Sequence, residues 1–372
     1  MGYSIALDEY VRTESVTLVT EDEPLLLDCG ALLPDVTVSY ETYGELNAER
    51  TNAILICHAL SANAHAAGLH SDDEATRGWW DGVVGPGKAF DTDKYFVICS
   101  NILGSCYGTT GPTSINAATG KQYRRSFPKI TVRDIVHLQK RLLDHLGVEK
   151  LKAVCGSSLG GMQTLEWGIL YPDFCENIIP ISVAAKQTAW YIGLNAAARA
   201  AITGDPQWND GNYTEQPAQG LSLARMIGMI SYRSPEEFKQ RFGRNFQYNL
   251  SRFDERNSFQ IESYLKHQGE KLVRRFDANT YLCLSEAMDL HDVTYGRGSL
   301  RDVLRSVPAR ALCIGVSSDL RYPVSDQIEL VRNFENATFA EIESIYGHDA
   351  FLIEFDQLNS IITNFLQEGA AI

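Results

Sequence analysis

Val154-Cys155-Gly156-Ser157-Ser158-Leu159-Gly160-Gly161-Met162-Gln163 sets a G-x-S-x-G pentapeptide, Gly156 to Gly160, between a short apolar run and a helix-like pattern. In that setting a serine occupies a tight strand-to-helix turn. Its hydroxyl is lifted clear of the sheet, and small residues give the backbone room. The helix that follows aims unsatisfied N–H groups and the positive end of its dipole at any oxyanion forming nearby. Ser158 is therefore the candidate nucleophile, and the Leu159 N–H a candidate oxyanion donor.

A serine needs a base, and the base an orienting acid. In this kind of turn the chain order is nucleophile, acid, histidine. His348 lies in Ser344-Ile345-Tyr346-Gly347-His348-Asp349, just past the strand-like Thr338–Ile342, which is where a sheet of this kind presents its base. His291 follows Met288-Asp289-Leu290 in an amphipathic stretch and reads as a surface or lid residue. Ala311–Val316 is a buried-strand run that Ser317-Ser318-Asp319 terminates, so Asp319 is placed to hold the imidazole in the required tautomer. Ser158, Asp319 and His348 thus come in the right order, each at a strand end.

The surrounding pattern alternates. Val36–Tyr40 reads as a strand with one wet face, while Ala53–Cys57 and Tyr95–Cys99 are continuous apolar runs suited to buried parallel strands. A helix starts at Thr131, with Ile135, Leu138, Leu142 and Leu146 on one face. Thr131 and Asp134 resemble a capping box, and Gly147 closes the helix. The strand Leu151–Cys155, a helix from Gly161 to Leu170 stopped by Tyr171-Pro172, and a strand from Asn177 to Val183 complete a doubly wound, mostly parallel sheet. The alternation then lapses into helical patterns, among them Thr188–Ile202, Gly220–Ile230, Pro235–Phe242 and Asp277–Leu290, until strands resume near Arg310. The expected organisation is a core of residues 1–183 and 296–372, with residues 184–295 inserted as a helical lid over the site.

Composition limits the partners. A chain of 372 residues that is 44% hydrophobic can bury a large core. A net charge of −14 argues against nucleic acid or an anionic membrane as partner. Met1 to Asp8 lacks a secretory pattern, and no apolar run approaches the ~18 residues of a membrane span. The eight cysteines, several in apolar strands (Cys57, Cys99, Cys155, Cys313), form no C-x-x-C pair. They read as small buried hydrophobes of a reducing cytoplasm, with no zinc site or disulfide framework.

A hydrolase and an acyltransferase share such a triad, so the motifs leave the reaction open. Further segments narrow it: Cys57-His58-Ala59-Leu60-Ser61, Gly78-Trp79-Trp80-Asp81 through Val84-Gly85-Pro86-Gly87-Lys88-Ala89, Gly108-Thr109-Thr110-Gly111-Pro112, Gly160–Gln163, Leu223-Ala224-Arg225-Met226, Phe276–Asn279 with Ala287-Met288-Asp289, and Gly347–Phe351. With these, the chain resembles the homoserine O-acetyltransferase family of methionine biosynthesis, of α/β-hydrolase fold, over nearly its whole length. The resemblance implies an acetyl-CoA donor, L-homoserine as acceptor, a ping-pong route through an acyl-serine, no permanently bound cofactor or metal, and a cytoplasmic homodimer paired through the lid. It also implies that Leu60 supplies a second oxyanion N–H, and that Ser61 and Tyr232 border the substrate. A zwitterionic acceptor needs two counter-charges, and the resemblance gives Arg225 the carboxylate and Asp349 the ammonium. The Trp79-Trp80 pair and the Thr109–Pro112 turn read as structural.

Three positions depart from the family pattern. Ser61-Ala62 replaces a threonine-glycine, altering the loop near the oxyanion site while keeping a hydroxyl. Ser157 replaces a glycine before the nucleophile, leaving that turn less backbone freedom. Arg321, in Asp319-Leu320-Arg321-Tyr322-Pro323, stands where acetyl-transferring relatives tend to have an apolar residue. It resembles succinyl-transferring members, in which a cation meets the distal carboxylate of succinyl-CoA. Acetyl remains the expected donor. The alternatives are a homoserine O-succinyltransferase, a serine O-acyltransferase, or an esterase of the same fold.

Overall fold

The computed structural model describes residues 10–368, so Met1–Asp8 lies outside the described residues. Eight strands build the main sheet: β1 (Glu14–Val19), β2 (Val36–Tyr43), β3 (Ala53–Cys57), β4 (Phe96–Ser100), β5 (Leu151–Ser157), β6 (Asn177–Ile181), β7 (Arg310–Val316) and β8 (Ala337–Ile342). Their order across the sheet is β1-β2-β4-β3-β5-β6-β7-β8. The pairs β1–β2 and β2–β4 are antiparallel and the rest parallel.

The central strands are covered on both faces, which is why they read as unbroken apolar runs. In β3, Leu55 and Cys57 join one hydrophobic cluster while Ile54 and Ile56 join the cluster across the sheet. The first cluster includes Ile135, Leu138 and Leu142 of α1 (Val132–His145), and Leu159, Met162 and Leu165 of α2 (Leu159–Leu170). Helix α1 is capped as its sequence predicts. Thr131 N–H donates to Asp134 Oδ2 at 2.7 Å, and Asp134 N–H donates back to Thr131 Oγ1 at 3.4 Å. Gly147 follows at φ +74°, in the left-handed region that ends a helix.

Between β6 and β7 come α3 (Ala189–Thr203), α4 (Ala218–Tyr232), α5 (Pro235–Arg241), α6 (Gln260–Val273) and α7 (Ala278–Asp289), followed by α8 (Leu300–Arg305). Helix α4 packs on both α3 and α6. Helix α6 escaped the sequence reading because its buried stripe, Leu265, Gly269 and Leu272, is narrow and contains a glycine. That glycine is the packing contact itself, since a Cβ there would lie 2.1 Å from Ser222 Oγ of α4. The chain is completed by α9 (Val324–Asn333) and α10 (Phe355–Glu368).

Several boundaries shift by a few residues, and two of the shifts bear on the site. Helix α2 starts at Leu159 and not at Gly161, because the turn into it is a single residue. Strand β6 ends at Ile181 and not at Val183. Ser182 turns to φ +46° and gives its N–H to Ile314 of β7 at 2.8 Å, which starts the chain toward the insertion.

Candidate active site

Within residues 154–163 only Ser158 adopts a positive φ (φ 56°, ψ −121°), a conformation unfavourable for a residue with a Cβ. Backbone bonds hold it on both sides. Ser158 N–H donates to Ile181 O at 3.1 Å, and Ser158 O accepts from Met162 N–H at 3.0 Å. Helix α2 can come this close to the end of β3 because a Cβ on Gly160 would sit 2.0 Å from Cys57 O. Ser157, opposite Ile181 in the ladder, keeps ordinary strand geometry, so the missing glycine there costs the turn nothing. Leu159 opens the helix, where an N–H has no intrahelical acceptor.

Asp319 and His348 meet as the sequence order requires. The imidazole Nδ1 lies 2.7 Å from Asp319 Oδ2, while Asp319 Oδ1 accepts the backbone N–H groups of Arg321 (2.8 Å) and Tyr322 (3.1 Å). A carboxylate so fixed assigns the proton to Nδ1 and leaves a lone pair on Nε2. Nε2 is buried and hydrogen-bonds to none of the described residues, which leaves it free to take a proton. The ring is boxed in by Tyr232, Tyr322 and Phe351, with ring centroids 6.0, 5.5 and 5.6 Å away. Trp80, fully buried, braces this turn by donating its Nε1–H to Phe351 O at 2.9 Å.

Ser158 and His348 open into a crevice of about 560 Å³, whose walls also include Leu60, Ser61, Arg225, Tyr232, Arg321 and Asp349. All the candidate substrate residues are thus gathered in one place, with Asp319 behind the histidine. Arg225 reaches in from α4, its guanidinium 5.2 Å from the Tyr232 ring centre, and makes no ion pair or hydrogen bond with any described residue. Asp349 is less free than its sequence position suggests. Its Oδ2 is 3.1 Å from Arg233 Nε at the end of α4, so only the other oxygen remains uncommitted.

Arg321 is 4% exposed and does not face solvent. Its Nη1 donates to the Tyr191 hydroxyl, and its guanidinium lies 3.9 Å from the Tyr191 ring centre and 4.5 Å from that of Tyr232. No carboxylate pairs with it among the described residues, and its Nε has no hydrogen-bond partner. Tyr191 itself is fully buried, and burial pushes its hydroxyl up to about 12 although Arg321 pulls the other way.

His291 corrects one half of the sequence reading: it is buried and not a surface residue. Its Nε2 is 3.3 Å from Ala184 O, and burial holds its pKa below the usual histidine value. It borders a separate cavity with Arg133 and Asp292, away from Ser158. Sequence reasoning also missed Tyr191, Lys271 and Arg275 as crevice residues. The spacing within an insertion helix does not say which core loop it faces. Glu41, His65 and His70 at the rim have donor atoms within 4.8 Å of one another, the grouping a metal would need. The Glu41 carboxylate is nevertheless already satisfied by Thr13, Tyr43 and both histidines.

The strand order, the strained serine turn and the acid–histidine pair define an α/β-hydrolase. Residues 52–354 match the family model of the alpha/beta hydrolase fold. Over 350 residues the chain is 53% identical to a homoserine O-acetyltransferase of Moorella thermoacetica, covering 92% of this chain and 94% of that one. The crystal structure of homoserine O-acetyltransferase from Bacillus anthracis matches with a TM-score of 0.89 at 33% identity, covering 96% of this chain and 98% of that one. Esterase E22 matches with a TM-score of 0.87 at 31% identity, covering 96% and 100%. The chain belongs to the homoserine O-acetyltransferase family.

Proposed function

We propose that this chain transfers an acetyl group from acetyl-CoA to the side-chain hydroxyl of L-homoserine through an acetyl-Ser158 intermediate. Nε2 of His348 takes the Ser158 proton as Oγ attacks the thioester carbonyl, and Asp319 stabilises the imidazolium that results. The N–H groups of Leu159 and Leu60 receive the oxyanion. The C–S bond then breaks, and the coenzyme A thiolate leaves with the proton held by His348. In the second half, His348 deprotonates the homoserine hydroxyl, which attacks the acetyl carbon. The Ser158–acyl bond breaks and Ser158 recovers its proton.

The observation that carries this reading is the unpaired Arg225 guanidinium sharing one crevice with Ser158 and His348. A simple ester offers no carboxylate for it, whereas homoserine does. The uncommitted oxygen of Asp349 suits the ammonium, and Tyr232 lies between Arg225 and the His348 ring. Helices α3–α7 serve as the lid that keeps water from the acyl-serine. Trp190, Leu223 and Ile230, exposed by 66%, 47% and 55%, suit the contact of a homodimer through that lid. The buried thiols Cys57, Cys99, Cys155 and Cys313 suit a reducing, cytoplasmic setting.

Thiol release from acetyl-CoA by the purified protein tests the reading. Release should be stoichiometric with enzyme alone and catalytic only when L-homoserine is added. Turnover without any acceptor would instead make the chain an esterase or thioesterase.

One observation favours a second reading for the donor. A buried guanidinium lacking an anion is costly, and Arg321 lines the crevice in that state. The distal carboxylate of succinyl-CoA would complete it. Preference for succinyl-CoA over acetyl-CoA, reversed by Arg321→Leu, would establish that reading; indifference to the substitution would leave acetyl as donor.

A further inference from the structure

We propose that Arg275, in the turn between α6 and α7, is a positioning residue that holds the loop presenting the Leu60 N–H, so that the helical insertion completes the oxyanion site. The inference rests on the acyl-serine route above. Arg275 Nη1 donates to the carbonyl of Ser61, the residue after Leu60, and to the Tyr107 hydroxyl at 3.0 Å. The contact to Ser61 spans 214 positions of sequence and joins the insertion directly to the core loop.

Both ends of this strap are anchored. On the insertion side, the N–H groups of Arg275 and Phe276 donate to Leu272 O at 3.0 and 2.9 Å, and the side chains of Leu272 and Phe276 are buried. On the core side, Leu60 and Ser61 are the middle residues of a turn closed by Ala62 N–H to Ala59 O at 3.1 Å. Asn101, just past β4, ties the two core loops together: its Oδ1 accepts from Ala64 N–H at 2.9 Å and its Nδ2 donates to Tyr107 O at 2.6 Å. The turn is thus fixed from below by the sheet, and Arg275 restrains it from above. A two-residue turn pulled at one carbonyl rotates as a unit, so a shift at Ser61 O re-aims the Leu60 N–H. Oxyanion donors act only when preset to within a few tenths of an ångström.

Pre-steady-state thiol release from acetyl-CoA without homoserine isolates the acylation step. Arg275→Gln should slow that burst about tenfold, less than the ~10²–10³ for outright loss of an oxyanion donor. The homoserine KM should stay unchanged, and Arg275→Lys should recover part of the rate. Tyr107→Phe, which removes one of the two acceptors and leaves the arginine in place, should slow the burst by a smaller factor. A burst in Arg275→Gln equal to wild type would overturn the proposal. So would a loss that disappears at saturating acetyl-CoA, which would make Arg275 a contact to the donor. A wild-type protein with no burst at all would sink the acyl-serine reading instead of the strap.

Discussion

Ser158, Asp319 and His348 hang from or just beyond strand ends, whereas Arg225, Tyr191, Tyr232 and Arg275 reach the same crevice from the helical insertion. The two groups are held by different physics. The first is fixed by backbone N–H groups at or just past strand ends, such as Ser158 N–H to Ile181 O and the two loop N–H groups on Asp319 Oδ1. The second is fixed by side-chain packing of α4 against α3 and α6, and by single contacts such as Arg275 to Ser61. In the proposed mechanism the sheet thus supplies the bond-making machinery, which would differ little between an esterase and an acyltransferase. On the proposed mechanism, the insertion would decide what is allowed to react.

That division can be tested by asking what each half loses when it is cut. Ser158→Ala, in the sheet-held group, should lower turnover by at least ~10⁴-fold, as removal of a triad nucleophile does elsewhere, with the melting temperature unchanged or higher. Turnover within tenfold of wild type would place the nucleophile elsewhere. Arg225→Ala, in the insertion group, should raise the homoserine KM by about 10–100-fold, the equivalent of one charge-assisted hydrogen-bond pair. The acetyl-CoA burst should survive intact; its loss would show that the two regions do not divide the work as described.

A milder effect comes from the Glu41–His65 pair at the rim. Burial by itself would lower the His65 pKa, but the hydrogen bond and charge of Glu41 outweigh it and raise the imidazole above its ordinary value. Burial likewise favours a protonated Glu41, and the bonds from His65, Thr13 and Tyr43 outweigh it to hold the carboxylate low. A histidine raised in the folded state stabilises below its unfolded value of ~6.5, and the contribution is lost as pH climbs through the raised folded value. Wild type should therefore melt about 2 °C above His65→Asn near pH 6, with the gap closing toward pH 9. A gap that widens with pH would reverse the assignment of charge.

Legibility follows the same division. The turn at Ser158, the capping of α1 and the apolar runs of β3, β4 and β7 are local patterns, each fixed by neighbours in sequence, and the order serine, aspartate, histidine could be read because each residue follows its own strand. What could not be read depends on partners far along the chain. Arg321 finds Tyr191 across 130 positions, and Arg275 finds Ser61 across 214. The Asp349 carboxylate is engaged by Arg233 from the end of α4, and no spacing rule announces that pair. His291 read as a surface or lid residue because it follows an amphipathic stretch, and it is the surface half of that reading that fails, since the junction of insertion and core covers it.

The left-handed backbone at Ser158 has an evolutionary consequence. Glycine would occupy that conformation without strain, so the protein would endure heat better without the proposed nucleophile. Selection for thermal endurance alone would push position 158 toward an inert chain, and on the proposed mechanism only the need for the acylated product keeps a side chain there.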